Sequence, residues 1–147
     1  MREMNVKGEF CPPKASLVES LRAVGYDLQA AIADLVDNSI SAEAKRIWVD
    51  FIWDGHNSWI RIADDGQGMT PEELTSAMTL GSQNPRNPRK PHDLGRFGLG
   101  LKTASFAQCR VLTVLSRKKS CTAVRCWDLD YIEQLAAENR DPWFLLE

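Results

Sequence analysis

The sequence predicts an α+β protein, a two-layer α/β sandwich with a mixed, mostly antiparallel sheet and helices on one face. Apolar residues recur at helical spacing over residues 26–40. Two pairs of short apolar segments are separated by turn residues, which is typical of antiparallel hairpins. The order of helix, hairpin, helix, loop, helix and hairpin favours helices packed against paired strands.

The elements of the first half are two helices and a hairpin. A short helix is predicted over residues 15–24, and a longer one over residues 26–40, where the apolar face also carries polar side chains. Strands are predicted over residues 47–53 and 58–63, and Asp54-Gly55 between them is a strong turn signal.

The second half begins with a helix whose start is well marked. Thr70 is a suitable N-cap, Pro71 fits the first turn, and Glu73 occupies the capping-box position. The remaining predictions are a polar stretch over 81–95, a helix over 100–107, strands over 109–116 and 121–127, and a helix over 130–139. The five tryptophans are expected in the core or at an interface.

Composition and charge limit the possible functions. The chain has 147 residues, 44% of them hydrophobic and 26% charged, as in a single soluble globular domain. The net charge of −2 gives no basic surface for nucleic acid, so a DNA-related role would depend on other regions or partners. The four cysteines lack zinc-ligand spacing, and no apolar run reaches the roughly 18 residues of a membrane span. With no signal peptide, we expect a cytoplasmic protein.

A glycine-rich stretch indicates a phosphate site. Gly95, Gly98 and Gly100 allow backbone N–H groups to approach an anion, and the helix that follows offers unpaired donors and partial positive charge. Lys102 in the first turn either adds a point charge or is a solvated helix lysine. A Walker A loop is excluded because Leu101 shifts the lysine by one position and no strand precedes the glycines.

The predicted helix over residues 26–40 carries two candidate side chains one turn apart. Asp34 and Asn38 lie on the same helix face. Asn38 offers a neutral carbonyl oxygen to Mg²⁺, which takes its other ligands from phosphates and water. Asp34 could orient or deprotonate the water that attacks a γ-phosphate. Taken alone, Asp34 could instead be a solvated charge.

The third candidate group follows the second predicted strand. Asp64 can accept the exocyclic amine of adenine, Gly66 and Gly68 can admit the flat ring, and Met69 can pack on it. Guanine would present a carbonyl to the carboxylate, so ATP is favoured over GTP. Asp65 is better explained as a turn-stabilising residue than as a base contact.

These three motifs, in this order, resemble the N-box, the G1 box (D-x-G-x-G) and the G2 box (G-x-x-G-x-G) of the GHKL superfamily. That superfamily comprises gyrase, the ninety-kilodalton heat-shock chaperone, histidine kinases and MutL. The boxes correspond to residues 34–38, 64–68 and 95–100, and the sequences over 31–40 and 95–105 are most similar to the MutL/MORC-like branch. The resemblance covers roughly residues 15–127 and implies a Bergerat fold with a site for ATP and Mg²⁺.

The resemblance also implies site residues and partners. Asp34 would be catalytic and Asn38 the metal ligand. The nucleotide-binding set would be Asn38, Asp64, Gly66, Gly68, Met69, Gly95, Arg96, Phe97, Gly98, Leu99, Gly100 and Lys102. ATP would close a lid at about residues 80–97 and drive homodimerisation. We expect residues 1–147 to be one ATP-binding domain, an N-terminal part of a longer protein that meets DNA or protein partners through regions beyond Glu147.

The chain departs from the family pattern at two positions. Asp34 stands where relatives have glutamate, which withdraws the carboxylate by about 1.5 Å, a misplacement that can slow a reaction around a hundredfold. Ser41 stands where many relatives have aspartate. A nucleotide-gated interaction module with little or no hydrolysis is therefore the alternative to an ATPase. A histidine-kinase catalytic domain is disfavoured, because that branch has asparagine at the position of Asp34.

Overall fold

A computed structural model describes residues 14–23, 25–80 and 100–147. The elements in order are α1 (Ser16–Arg22), α2 (Leu28–Ser41), β1 (Ile47–Ile52), β2 (Trp59–Asp64), α3 (Pro71–Met78), α4 (Gly100–Gln108), β3 (Val111–Lys118), β4 (Cys121–Asp128) and α5 (Leu129–Ala137). The predicted helices and strands are all present, with small differences at their ends, and the α+β class is confirmed. None of the helices in these ranges is long and apolar enough to cross a membrane.

The strands form two antiparallel hairpins. In the first, Ile47 pairs with Asp64, and in the second, Val111 pairs with Asp128. The sequence predicted one mixed sheet, whereas the strands of the described ranges form two separate two-stranded sheets. The hairpins meet through the loop after β2, where the Met69 N–H donates to Ser116 Oγ of β3 at 2.7 Å. A loop contact therefore takes the place of a shared ladder.

The helices cover one face of the β3–β4 hairpin. On that face Ala123 and Trp127 are buried, and the indole N–H of Trp127 donates to the Met78 carbonyl at 2.9 Å. The core cluster comprises Val18, Leu74, Met78, Phe106, Ala123, Trp127, Leu129 and Ile132. It joins α1, α3, α4, α5 and β4 and so holds α4 in place beside the candidate site.

The β1–β2 hairpin lies outside this core. Trp48 and Trp59 are each 48% exposed and Trp53 is 74% exposed. These three tryptophans are therefore not core residues of the described chain, whereas Trp127 is. Alternation predicted the strand pair correctly but did not reveal what covers each face.

Side-chain caps set the starts of α2 and α3. The Asp27 side chain accepts a hydrogen bond from the Ala30 N–H at 2.8 Å and so begins α2. Thr70 and Glu73 form the predicted capping box of α3, with Pro71 in the first turn. Caps of this kind stabilise a helix by about 1 kcal/mol each.

Candidate active site

Helix α2 brings together the side chains at the centre of the candidate site. Asp34 is half-buried, and Asn38, one turn further along, is exposed. Residues four apart lie one above the other on a helix, so both side chains occupy one face of α2 as predicted. Ser39, the next residue, is buried.

Asp34, in the middle of α2, lies close to Tyr26 and to the start of α4. The Tyr26 hydroxyl donates a hydrogen bond to Asp34 Oδ2. A Cβ atom added at Gly100 would lie 4.0 Å from the same oxygen. The N-terminus of α4, which sequence analysis assigned to phosphate, is therefore beside the predicted catalytic carboxylate.

Tyr26 is a site residue that sequence reasoning missed. Its hydrogen bond to Asp34 raises the pKa of the phenol above its ordinary value, and burial and the charges of Asp34 and Asp27 act in the same direction. The phenol therefore stays protonated and remains a donor. A single tyrosine before a helix gives no sequence signal that it will fold back onto that helix.

Asp64 is fixed through both carboxylate oxygens. Ser39 Oγ donates to Oδ2 at 2.9 Å, and the Gly66 N–H donates to Oδ1 at 2.9 Å. A carboxylate has about four acceptor positions, so Asp64 can still accept the amine of a base. Since Ser39 belongs to α2, this helix connects the predicted base-reading and catalytic carboxylates.

The two glycines after β2 are required by close contacts. A Cβ atom at Gly66 would lie 2.8 Å from the Ala42 carbonyl oxygen at the end of α2. Gly68 has a φ of +65°, and its Cβ atom would lie 2.0 Å from the Arg117 carbonyl oxygen. Both glycines are thus required by contacts with protein backbone. That they also make room for an adenine ring stays a prediction.

The two residues that flank these glycines have structural contacts. Met69 is half-buried and packs against the core cluster, so its contact with a base also stays a prediction. Asp65 Oδ1 accepts the N–H groups of Lys45 and Arg46 at 2.7 and 2.8 Å. The hydrogen bonds from Arg46 and then Lys45 lower the pKa of Asp65. The predicted turn-stabilising role of Asp65 is confirmed.

Lys102 occupies a position that its sequence context did not suggest. The residue is 1% exposed, and its Nζ donates to the carbonyls of Ala77 at 2.6 Å and Thr79 at 2.9 Å. These carbonyls lie at the C-terminal end of α3, where a helix carries partial negative charge. Burial lowers the pKa of Lys102 to about 8. A contact between Lys102 and phosphate stays a prediction and would require the ammonium to leave these carbonyls.

Part of the predicted site falls outside the described residues. Gly95, Arg96, Phe97, Gly98 and Leu99 do so, as do residues 81–97 of the predicted lid. Gly100 and Lys102 are the members of the predicted phosphate loop for which the structure gives a position.

The chemistry of the described residues fits a magnesium nucleotide. In residues 14–23, 25–80 and 100–147, no three His, Cys, Asp or Glu side chains gather as metal ligands. A single amide such as Asn38 suffices for Mg²⁺ when phosphates and water complete its shell. A shallow depression of about 510 Å³ at α3 and β4 is lined by Pro71, Glu72, Thr75, Ser76, Thr79 and Arg125. None of these residues belongs to the candidate site.

Comparison with known proteins supports the resemblance to MORC and MutL proteins. ATPase morc-1 of Caenorhabditis elegans is 35% identical over 89 residues, which cover 60% of this chain and 10% of that protein. The DNA mismatch repair protein MutL of Pseudomonas fluorescens is 32% identical over 116 residues, which cover 76% of this chain and 17% of that protein. Human ATPase MORC2 is 30% identical over 95 residues, which cover 63% of this chain and 9% of that protein. The chain thus spans less than a fifth of the length of each of these relatives.

A family profile matches a longer part of the chain than these relatives do. Residues 26–142 match the profile described as histidine kinase-, DNA gyrase B- and HSP90-like ATPase. This range includes α2, both hairpins and α4, and therefore all the described residues of the candidate site. The chain belongs to the histidine kinase-, DNA gyrase B- and HSP90-like ATPase family, and this membership implies an ATP-binding domain.

Proposed function

We propose that the chain binds ATP with Mg²⁺ and hydrolyses it slowly. The observation that carries this proposal is the position of α2. Its residue Asp34 lies beside the first residue of α4, and its residue Ser39 holds Asp64 at the end of β2. One rigid helix therefore sets the distance between a phosphate-binding helix end and a base-reading carboxylate.

In this proposal Asp64 accepts the exocyclic amine of adenine and disfavours guanine, which presents a carbonyl at that position. Gly66 leaves no side chain between the base and the junction of α2 with β2. The N-terminus of α4 binds the phosphates through its unpaired N–H groups. Asn38 would hold Mg²⁺, which when bound neutralises charge on the phosphates.

Asp34 acts as the general base. It takes a proton from water while the water oxygen bonds to the γ-phosphorus. The bond from that phosphorus to the bridging oxygen breaks, and ADP leaves with the electron pair. The shorter side chain of Asp34, compared with the glutamate of relatives, supports a slow rate.

At the level of the whole protein, we propose that residues 1–147 form one domain whose ATP cycle closes a lid at about residues 80–97 and drives homodimerisation. Contacts with DNA or protein partners would belong to regions outside this chain. The DNA mismatch repair proteins among the relatives support a DNA-related role. The cysteines that the structure describes, Cys109, Cys121 and Cys126, are free thiols, which supports a cytoplasmic location.

The role of Asp34 is tested with Asp34→Asn. The amide cannot accept the proton of water at neutral pH, so hydrolysis is expected to fall by about a hundredfold or more while ATP affinity is kept. Phosphate release and calorimetric ATP binding measure the two quantities. Asp50→Asn is the matched control, because Asp50 lies on β1 and its carboxylate is paired with Arg61. Normal turnover by Asp34→Asn would remove Asp34 from the mechanism.

The second candidate is a nucleotide-gated interaction module that binds ATP with little or no hydrolysis. The short side chain of Asp34 favours it. Single-turnover kinetics of the full-length protein separates the candidates. Release of phosphate supports the ATPase, whereas a persistent ATP complex that dimerises supports the module.

A further inference from the structure

The structure ties Tyr26 to both helices of the candidate site. Its phenol donates to Oδ2 of Asp34, eight residues later in the chain. Its backbone carbonyl accepts a hydrogen bond from Nε2 of Gln108, at the C-terminal end of α4, at 2.5 Å. The next residue, Asp27, caps α2. The half-buried tyrosine is thus held from its backbone while its hydroxyl reaches the carboxylate.

This bond determines how the Asp34 carboxylate is turned. The terminal torsion of an aspartate has a broad energy profile, so an unbound carboxylate samples many orientations. A hydroxyl bonded to Oδ2 selects one of them and thereby sets the direction of Oδ1. The selection occurs beside Gly100, where α4 begins.

We propose that Tyr26 is a positioning residue that orients the Asp34 carboxylate for attack by water, an inference that rests on the proposed ATPase function. The phenol occupies one acceptor position of Oδ2, the oxygen that faces Gly100, and the remaining acceptor positions of the carboxylate stay open to receive the proton from water. A neutral phenol orients the carboxylate without a compensating positive charge, so Asp34 remains a base. Correct orientation matters more for Asp34 than for a glutamate, because the shorter side chain has fewer torsions with which to adjust.

The first test is Tyr26→Phe, which keeps the ring and removes the hydroxyl. Single-turnover hydrolysis is expected to be roughly ten- to a hundredfold slower, since misorientation of about 1 Å has effects of that size. ATP affinity is expected to remain at the wild-type value, and the melting temperature to fall by only a few degrees for the one lost hydrogen bond. Tyr131→Phe is the matched control, because Tyr131 is the other tyrosine of the chain and lies on α5.

A second background separates positioning from general structural support. Asp34→Glu restores the longer side chain found in relatives. A glutamate carboxylate extends beyond the position at which the Tyr26 hydroxyl binds the aspartate, so its orientation does not require that hydroxyl. Tyr26→Phe is then expected to have little effect in Asp34→Glu, and the two changes are non-additive. Equal losses in both backgrounds would overturn the inference, as would wild-type hydrolysis by Tyr26→Phe alone.

A spectroscopic readout tests the contact without hydrolysis. In a Tyr131→Phe chain, Tyr26 is the sole tyrosine, and alkaline titration of its absorbance reports its pKa. Asp34→Asn is expected to lower that pKa, because the hydrogen bond to the Asp34 carboxylate is weakened and its charge is lost, while burial and the charge of Asp27 remain. An unchanged titration would show that the contact is absent and would overturn the inference.

These outcomes are distinguishable from failure of the proposed function. A wild-type protein that binds no ATP or hydrolyses none would overturn the proposed function and this inference together. A wild-type protein that hydrolyses ATP through Asp34, with Tyr26→Phe equally active, would overturn only the role of Tyr26.

Discussion

At the residue scale, the carboxylates of the candidate site are held by neutral donors. Asp34 binds the phenol of Tyr26, and Asp64 binds the hydroxyl of Ser39. Glu73, by contrast, binds a lysine ammonium at 2.8 Å and caps a helix. A neutral donor orients a carboxylate without cancelling its charge. Asp34 and Asp64 are therefore able to meet proton donors of a ligand, whereas Glu73 serves the fold.

The structural role of the Lys102 side chain can be tested by a single substitution. Lys102→Met leaves the carbonyls of Ala77 and Thr79 without their donor, so it is expected to lower the free energy of unfolding by about 1–3 kcal/mol at neutral pH. Denaturant unfolding measures this quantity. Lys119→Met, at the exposed turn between β3 and β4, controls for loss of a positive charge.

The pH dependence of that difference follows from the lowered pKa of Lys102. Between about 8 and the ordinary value of 10.5, the unfolded chain keeps a proton that the folded protein has released. Stability of the wild type relative to Lys102→Met is therefore expected to increase as pH rises through this range. The neutral amine can still donate to both carbonyls. If the difference in the free energy of unfolding between the wild type and Lys102→Met became smaller with rising pH, the buried position of the ammonium would be contradicted.

At the element scale, the local signals in the sequence were sufficient for helices and hairpins. The capping box of Thr70 and Glu73, with Pro71 beside it, marked the start of α3. Asp54-Gly55 marked the turn between β1 and β2, where a short 3₁₀ turn forms over Gly55–Asn57. These signals depend on neighbouring residues alone, so they can be recognised without knowledge of the tertiary structure.

Relations between elements were not predictable in the same way. The Lys102 side chain is long and flexible, and only the position of the end of α3 decides which carbonyls it reaches. The Tyr26 contact depends on how the chain enters α2. The division of the strands into two sheets was not predictable either, because alternation identifies a strand but not its neighbours.

Gly68 offers a prediction about the junction of the two hairpins. Gly68→Ala is expected to destabilise the protein by more than Gly25→Ala. Both glycines have positive φ angles, +65° and +77°, but only a Cβ atom at Gly68 meets backbone, 2.0 Å from the Arg117 carbonyl oxygen. Among the residues that the structure describes, no atom lies within 4 Å of a Cβ atom at Gly25, so its substitution isolates the cost of the φ angle, about 1–2 kcal/mol. If chemical unfolding showed the same loss of free energy of unfolding for Gly68→Ala and Gly25→Ala, the close contact of the loop with β3 would be contradicted.

At the scale of the whole molecule, the core and the candidate site share α4. The buried residues Ala104 and Phe106 anchor this helix in the core, and Arg22 of α1 donates to the carbonyls of Phe106 and Cys109 at its C-terminal end, each at 2.6 Å. The N-terminal end lies beside Asp34. A helix fixed at one end and facing the site at the other can present its N-terminal donors to a phosphate without reorganisation.

The most direct test of the central claim is calorimetric titration of ATP with and without Mg²⁺, on the wild type and on Asp64→Asn. We predict binding that is strengthened by Mg²⁺ in the wild type and lost in Asp64→Asn, because an asparagine amide cannot replace the second acceptor oxygen that Asp64 offers. Asp65→Asn, whose carboxylate binds the Lys45 and Arg46 N–H groups, is the adjacent control and is expected to bind ATP. Equal ATP binding by the wild type and Asp64→Asn, or binding that is indifferent to Mg²⁺, would contradict the assignment of this site.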